Sequence, residues 1–167
     1  MTENKNQART SLKDSAKKME ETFKPLLTQG VPLYLSRGLT EQDLDALYII
    51  AYNLYSEKKY QRAVKIFETI SFYNHFDKRG WIGTAACYQV LGRYNDAILC
   101  YSSASLIDIE DPLPIFHSIE CYIVLKRYSE ARSALEVILL LTQENDEFAN
   151  LKNWAMKMKE TLGKANA

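Results

Sequence analysis

Glycine, proline and cysteine are scarce in this sequence. Its 167 residues include 6 Gly, 4 Pro and 3 Cys, against 11 Tyr. Few chain breakers together with many aromatic rings favour long helices that carry a ring-rich surface. The cysteines are odd in number and none forms a CxxC pair, which argues against a disulfide framework and favours free thiols in a reducing compartment.

An excess of one charge and a long hydrophobic run are also missing. Lys and Arg number 21, and Asp and Glu also number 21. Proteins that bind nucleic acid or anionic membranes need a surplus of basic residues, so we expect neither partner. No stretch reaches the roughly 18 apolar residues of a membrane span, and no apolar run of the secretory type begins the chain. We therefore expect a cytoplasmic protein without stable membrane insertion.

Catalytic motifs are absent as well. The sequence has no glycine-rich phosphate loop, no HExxH and no GxSxG. His117 and Cys121 stand four residues apart, but two ligands without a second cluster do not make a metal site. His75 stands among aromatic residues, where a packing or binding role is favoured over general-base catalysis. The sequence therefore predicts no enzyme, no cofactor and no bound metal.

A 34-residue period organises most of the chain. Two residue types recur with this step: Ala63, Ala97 and Ala131, and, three residues before each, Tyr60, Tyr94 and Tyr128. Four residues after each alanine stands a large side chain: Phe67, Tyr101 and Leu135. The small residue lets two helices approach closely, so the period predicts helix pairs. The first helices are expected over 44–56, 78–91 and 112–125, and the second over 60–73, 94–107 and 128–142.

This pattern resembles the tetratricopeptide repeat, so we expect an all-α superhelix of three helix-turn-helix units. The ends of such an array need caps. A helix over 146–163 would place five apolar residues on one face and close the C-terminus: Phe148, Leu151, Ala155, Met158 and Leu162. Thr40, followed three residues later by Asp43, is a helix N-cap signal for the first unit. The predicted division is 1–39, 40–145 and 146–167.

The N-terminal segment, 1–39, is less regular. A short amphipathic helix could include Leu12, Ala16, Met19 and Phe23. Two Pro and two Gly between Pro25 and Gly38 predict an irregular bend. Two alternatives stay open: this segment is partly disordered, or it is ordered by a partner or by self-association as a dimerisation helix.

The concave side of the predicted stack is rich in aromatic residues. The first helices of successive units line that side, and Tyr48, Tyr52 and Tyr55 form one stripe along the first helix. The equivalent places are Ile82, Ala86 and Gln89, then Phe116, Glu120 and Ile123. Such a surface suits an extended peptide with apolar anchors. The alternative is that the tyrosines pack against the N-terminal segment.

An acidic-tail clamp, known from co-chaperones of this repeat class, is not expected. Such a clamp places Lys, Asn and Arg on the inner face. The corresponding residues here are Tyr48, Tyr52, Ala86, Leu113 and His117. Without those cations and amides, the groove is suited to apolar anchors rather than to a carboxylate tail.

Three blocks of sequence resemble the class II chaperones of bacterial type III secretion. They are Leu47-Tyr48-x-x-Ala51-Tyr52-x-x-Tyr55, the ring cluster from Phe72 to Asp77, and Phe116-His117-x-x-Glu120-Cys121. The resemblance implies a cytoplasmic bacterial chaperone that keeps hydrophobic translocator proteins soluble and secretion-competent. It also implies dimerisation through N-terminal elements. The alternative is a repeat adaptor that joins protein partners without holdase activity.

The resemblance also implies a set of groove residues. Client contacts fall on Tyr48, Tyr52 and Tyr55. Walls or supports of the anchor pockets fall on Tyr73, Phe76, Trp81, Ile82 and Tyr88, and Phe116 belongs to the third inner stripe. Two departures concern the identity of the client: the chain is neutral where the family is usually acidic, and Asn74 and His75 replace an acidic and an aromatic residue.

Overall fold

The structure, a computed structural model, describes Lys17 and residues 30–164. The predicted amphipathic helix through Leu12, Ala16, Met19 and Phe23 lies outside the described residues. Within 30–164 the chain forms α-helices joined by short turns. They are α1 (Leu33–Ser36), α2 (Glu41–Ser56), α3 (Tyr60–Tyr73), α4 (Lys78–Val90), α5 (Tyr94–Ile107), α6 (Leu113–Val124), α7 (Tyr128–Leu141) and α8 (Ala149–Lys164).

Three helix pairs, α2–α3, α4–α5 and α6–α7, form the predicted repeats, and α8 packs on α7. Helix α2, the first helix of repeat one, begins at Glu41 rather than at the predicted residue 44, because Thr40 is its N-cap and forms a capping box. Its hydroxyl accepts from the Asp43 N–H at 3.2 Å, and the Asp43 carboxylate accepts from the Thr40 N–H at 2.8 Å. This confirms the N-cap signal read from the sequence.

Two sequence predictions need correction. Part of the segment expected to be an irregular bend, 25–38, forms the short helix α1, whose Leu33 and Tyr34 are buried. At the other end, the chain does not enter a continuous helix at residue 146: a 3-10 turn over Asp146–Phe148 comes first. The Asn145 side chain accepts from the Glu147 N–H at 2.9 Å and holds this turn, so that α8 begins at Ala149.

The turn inside each repeat has the same backbone geometry. Lys58, Gly92 and Lys126, which are 34 residues apart, all have positive φ, at 61°, 76° and 58°. A left-handed residue at this place lets the following N–H bond back to the last turn of the first helix. Those bonds are 2.8 Å long in all three units. The repeat is therefore encoded in the turns as well as in the helices.

The periodic alanines lie at the centre of the helix pairs. Ala63, Ala97 and Ala131 are all fully buried, and the large residues four places later fill the space between helices. One apolar cluster spans the first two repeats and reaches Cys121 of the third, and a second joins the third repeat to α8 through Ala155 and Leu162. The C-terminal helix therefore covers the apolar end of the stack, as its sequence pattern predicts.

Candidate functional site

An aromatic groove lies between the first helices of repeats one and two. Its cavity of about 220 Å³ is called the tyrosine groove below. Helix α2 contributes three rings, α4 contributes one wall, and α3 provides the floor. The lining residues are Tyr48, Tyr52, Tyr55, Phe67, Arg79, Ile82, Gly83 and Ala86.

The rings of the tyrosine groove support one another. Tyr48 stacks on Tyr52 with ring centroids 6.3 Å apart, and meets Phe67 edge-on at 5.9 Å. Tyr55 meets Tyr60 edge-on at 5.2 Å, and burial raises the pKa of Tyr55. Tyr52 is 55% exposed although it is a large aromatic residue. The groove therefore presents a ring surface that no described part of the chain covers.

Arg79 was not singled out by the sequence, yet it borders the tyrosine groove. Its guanidinium lies 5.1 Å from the centre of the Tyr48 ring and pairs with Asp45 of α2 and Asp77, both at 2.8 Å. Asp77 also caps α4. Hydrogen bonds to Asp77 raise the pKa of Arg79, so this side chain is a fixed cation that joins α2 to the start of α4.

Beyond the tyrosine groove, a chain of hydrogen bonds runs along the inner face. The Tyr101 hydroxyl donates to Gln89 Oε1 at 2.8 Å, and Gln89 Nε2 donates to Glu120 Oε2 at 3.1 Å. His117 Nδ1 lies 3.2 Å from the same oxygen. A carboxylate oxygen accepts, so this contact requires the proton on Nδ1. The His117 ring also stacks on Tyr101 at 5.5 Å.

Two residues predicted as pocket walls, Trp81 and Tyr88, line a different cavity. It has a volume of about 630 Å³ and is also bordered by Leu33 and Phe72. Trp81 Nε1 donates to the His75 carbonyl at 2.9 Å, and the Tyr88 hydroxyl donates to the Glu68 carboxylate. The structure therefore separates these two rings from the tyrosine stripe.

The other predicted residues are distributed along the stack. Ile82 lines the tyrosine groove. Tyr73 meets Phe72 edge-on at 5.5 Å, and Phe76, 52% exposed, lies 4.0 Å from the His75 ring. Phe116 meets Trp154 of α8 edge-on at 4.7 Å. Two lining residues of the tyrosine groove, Phe67 and Gly83, were not predicted from the sequence. Phe67 follows the core pattern of the repeat, and no sequence signal marks Gly83.

No metal or nucleophile stands out in the described part of the chain. Among those residues no group of three or more His, Cys, Asp or Glu side chains could hold a metal ion. Burial raises the pKa of Cys87 to about 12 and that of Cys121 to about 11. Both thiols are fully buried and protonated at neutral pH, so they act as small apolar groups.

Helix pairs that repeat every 34 residues beside an aromatic groove define a tetratricopeptide repeat protein. The low calcium response locus protein H of Yersinia pestis is 32% identical to this chain over 136 residues, 81% of each sequence. The type III secretion chaperone SycD of Yersinia enterocolitica, solved with a peptide of the translocator YopD, superposes with a TM-score of 0.71. It is 32% identical and covers 77% of this chain and 98% of its own. The chain belongs to the class II chaperones of type III secretion.

A second complex has the same fold. PcrH of Pseudomonas aeruginosa, solved with the chaperone binding region of PopD, gives a TM-score of 0.72 at 32% identity. It covers 78% of this chain and 98% of its own. No protein-family model matches the sequence. Family membership confirms the predicted chaperone and the prediction that the chain is not an enzyme. In the described ranges no helix is long and apolar enough to cross a membrane.

Proposed function

We propose that this chaperone acts in the bacterial cytoplasm and holds a hydrophobic translocator protein by an extended segment laid in the tyrosine groove. SycD and PcrH, each 32% identical to this chain, have been solved with a YopD peptide and with the chaperone binding region of PopD. The observation that carries the proposal to this chain is the open stripe of Tyr48, Tyr52 and Tyr55 along the groove.

The groove has the physical properties that an extended apolar segment requires. Aromatic rings supply a large contact area at a low cost in conformational entropy, and a phenol hydroxyl can bond to a peptide main chain. A half-exposed Tyr52 and a cavity of about 220 Å³ leave room for one or two apolar side chains. Binding of this kind needs no nucleotide. It shields the client from aggregation until the client is passed to the export machinery.

The proposed client contacts are Tyr48, Tyr52, Tyr55 and Ile82, which share the tyrosine groove. Four further residues stay proposals as supports of client binding: Tyr73, Phe76, Trp81 and Tyr88. Phe116 is proposed as a contact in the third unit. A homodimer is also proposed, since SycD has been solved as a dimer.

Co-expression with a translocator of the same secretion system tests the holdase role. We expect the translocator to move from the insoluble to the soluble fraction and to co-purify with the chaperone. A repeat adaptor without holdase activity would leave the solubility of the translocator unchanged. That result would contradict the proposal even if the two proteins bound each other after refolding.

A further inference from the structure

The chemistry of the inner face changes between the first repeat and the third. Tyr52, Ala86 and Glu120 occupy equivalent places, 34 residues apart, on α2, α4 and α6. Tyr52 and Ala86 line the tyrosine groove, so the same register places Glu120 on the inner face one repeat further on. The carboxylate therefore stands where the first repeat has an apolar ring.

Glu120 is held in place by its neighbours. The Tyr101 hydroxyl fixes the Gln89 carboxamide by donating to Oε1, so that Nε2 donates to the carboxylate. His117 contacts the same oxygen, Oε2. Both hydrogen bonds are made to the same carboxylate oxygen, Oε2. The Glu120 side chain is 41% exposed. A carboxylate that is oriented by two donors and still open to solvent can accept further N–H groups.

The charge around the inner face also favours a cation. Arg79 is the cation that lines the tyrosine groove, and its guanidinium is already shared by Asp45 and Asp77. Gln89, the partner of Glu120, stands ten residues after Arg79 on α4, which is about 15 Å along the helix, so this guanidinium does not neutralise Glu120. The titratable side chain in contact with Glu120 among the described residues is His117, and a basic group that enters this region is attracted to the carboxylate.

We propose that Glu120 binds a Lys or Arg side chain of the client segment whose apolar anchor occupies the tyrosine groove. The inference rests on the proposed function, because it places a second contact for the same client. The tyrosine groove lies between α2 and α4, whereas Glu120 bonds across from α6 to α4. Neighbouring packed helices lie about 9 Å apart, and an extended strand advances about 3.3 Å per residue. The basic residue therefore stands about three residues from the anchor.

Selection from a randomised 12-residue peptide library displayed on phage tests this assignment without a known client. The native protein is expected to enrich peptides with an apolar anchor and, about three residues away, Lys or Arg. Glu120→Gln keeps the shape and the two donors but removes the charge, and is expected to abolish the basic preference while the apolar anchor persists. Synthetic peptides from the native selection should bind Glu120→Gln about tenfold more weakly.

Charge reversal and a matched control complete the experiment. Glu120→Lys is expected to enrich Asp or Glu at the same spacing. Glu110→Gln removes an exposed carboxylate from the turn before α6 and should leave the selection unchanged. Apolar anchors without a basic preference, or an equal preference in Glu120→Gln, overturn the assignment while the proposed function stands. If the native protein enriches no peptide, the assignment and the proposed function both fail.

Discussion

The ring of Phe67 lies directly against the backbone of Gly83, so closely that a Cβ atom at residue 83 would stand 2.4 Å from the ring carbons. Phe67 belongs to α3 and Gly83 to α4, and both line the tyrosine groove. The missing side chain lets the ring pass between the first helices of two repeats and form the groove floor. One hydrogen atom in place of a methyl group therefore determines the depth of the site.

Gly83→Ala should accordingly destabilise the protein, although alanine is the better helix former. The gain in helix propensity is about 1 kcal/mol, whereas overpacking against a ring that is 2% exposed costs roughly 1–3 kcal/mol. We expect a net loss of about 1 kcal/mol in urea unfolding. Gly163→Ala is the control, since a Cβ there meets nothing within 4 Å. Equal stability changes in both variants would contradict the packing argument.

The repeat was predictable because each signal is local and recurs. Alanine, tyrosine and large apolar residues hold a 34-residue step, and periodicity of that kind determines which helix faces meet. The tyrosine stripe was predictable for the same reason, since residues four and three apart share one helix face. The capping box at Thr40 likewise depends on two residues close in sequence.

The parts that sequence missed depend on contacts between repeats. Arg79 reads as a surface charge until α2 brings Asp45 within 2.8 Å. Trp81 stays a proposed support by resemblance; its indole N–H bonds to the His75 carbonyl six residues earlier, and its ring borders the second cavity. The Gln89–Glu120 hydrogen bond joins residues 31 apart. A sequence period predicts which face of each helix is buried, but it does not predict which side chains bond to a neighbouring repeat.

A buried hydroxyl in α4 should be replaceable with a gain in stability. Thr84 is 3% exposed, and its Oγ1 has no hydrogen-bond partner among the described residues. An unsatisfied buried hydroxyl costs roughly 1–3 kcal/mol, so Thr84→Val should raise the free energy of unfolding by about 1 kcal/mol. In Thr142→Val the lost hydroxyl donates to Ile138 at 2.8 Å, and stability should not rise. Equal responses would rule out this explanation.

The hydrogen bond between Tyr88 and Glu68 predicts a stability change at alkaline pH. That bond, with burial, raises the pKa of Tyr88 to about 12, whereas an unfolded tyrosine titrates near about 10. The folded state therefore holds the proton more tightly, so its contribution to stability is complete below pH 10 and is lost as pH rises from about 10 to about 12. Tyr88→Phe removes this contribution.

Urea unfolding at several pH values measures the effect. At pH 8 the native protein should be more stable than Tyr88→Phe by about 1 kcal/mol, and the difference should shrink by pH 11. Tyr122→Phe is the matched control, because Tyr122 occupies the equivalent place and also lies beneath an arginine but has no carboxylate partner among the described residues. A difference for Tyr88→Phe that stays constant from pH 8 to pH 11 would contradict the assignment.

Tyr52 and Tyr55 should both contribute strongly to client binding, and the exposed Tyr52 should contribute little to folding, whereas Tyr55 also packs against the core cluster of the first two repeats. Tyr52 is 55% exposed, and Tyr55 keeps only an edge contact to Tyr60 at 5.2 Å among its described ring contacts. If both bind the client as hot spots, Tyr52→Ala with Tyr55→Ala should weaken binding by roughly 2 kcal/mol or more for each ring. Calorimetric titration with a translocator segment measures this loss, and circular dichroism checks that the variant is folded.

The same variant also decides between the two roles left open for the tyrosines. If they pack against the N-terminal segment, the double variant should unfold at a lower temperature while its affinity for the client stays unchanged. If they bind the client, the affinity falls, and the loss of Tyr55 from the core cluster lowers the unfolding temperature only as far as that packing requires. Leu99→Ala is the control, because that side chain of α5 is 67% exposed and lines neither of the two cavities; it removes exposed apolar surface and should leave client binding intact. A folded double variant that binds as tightly as the native protein would exclude both rings from the site.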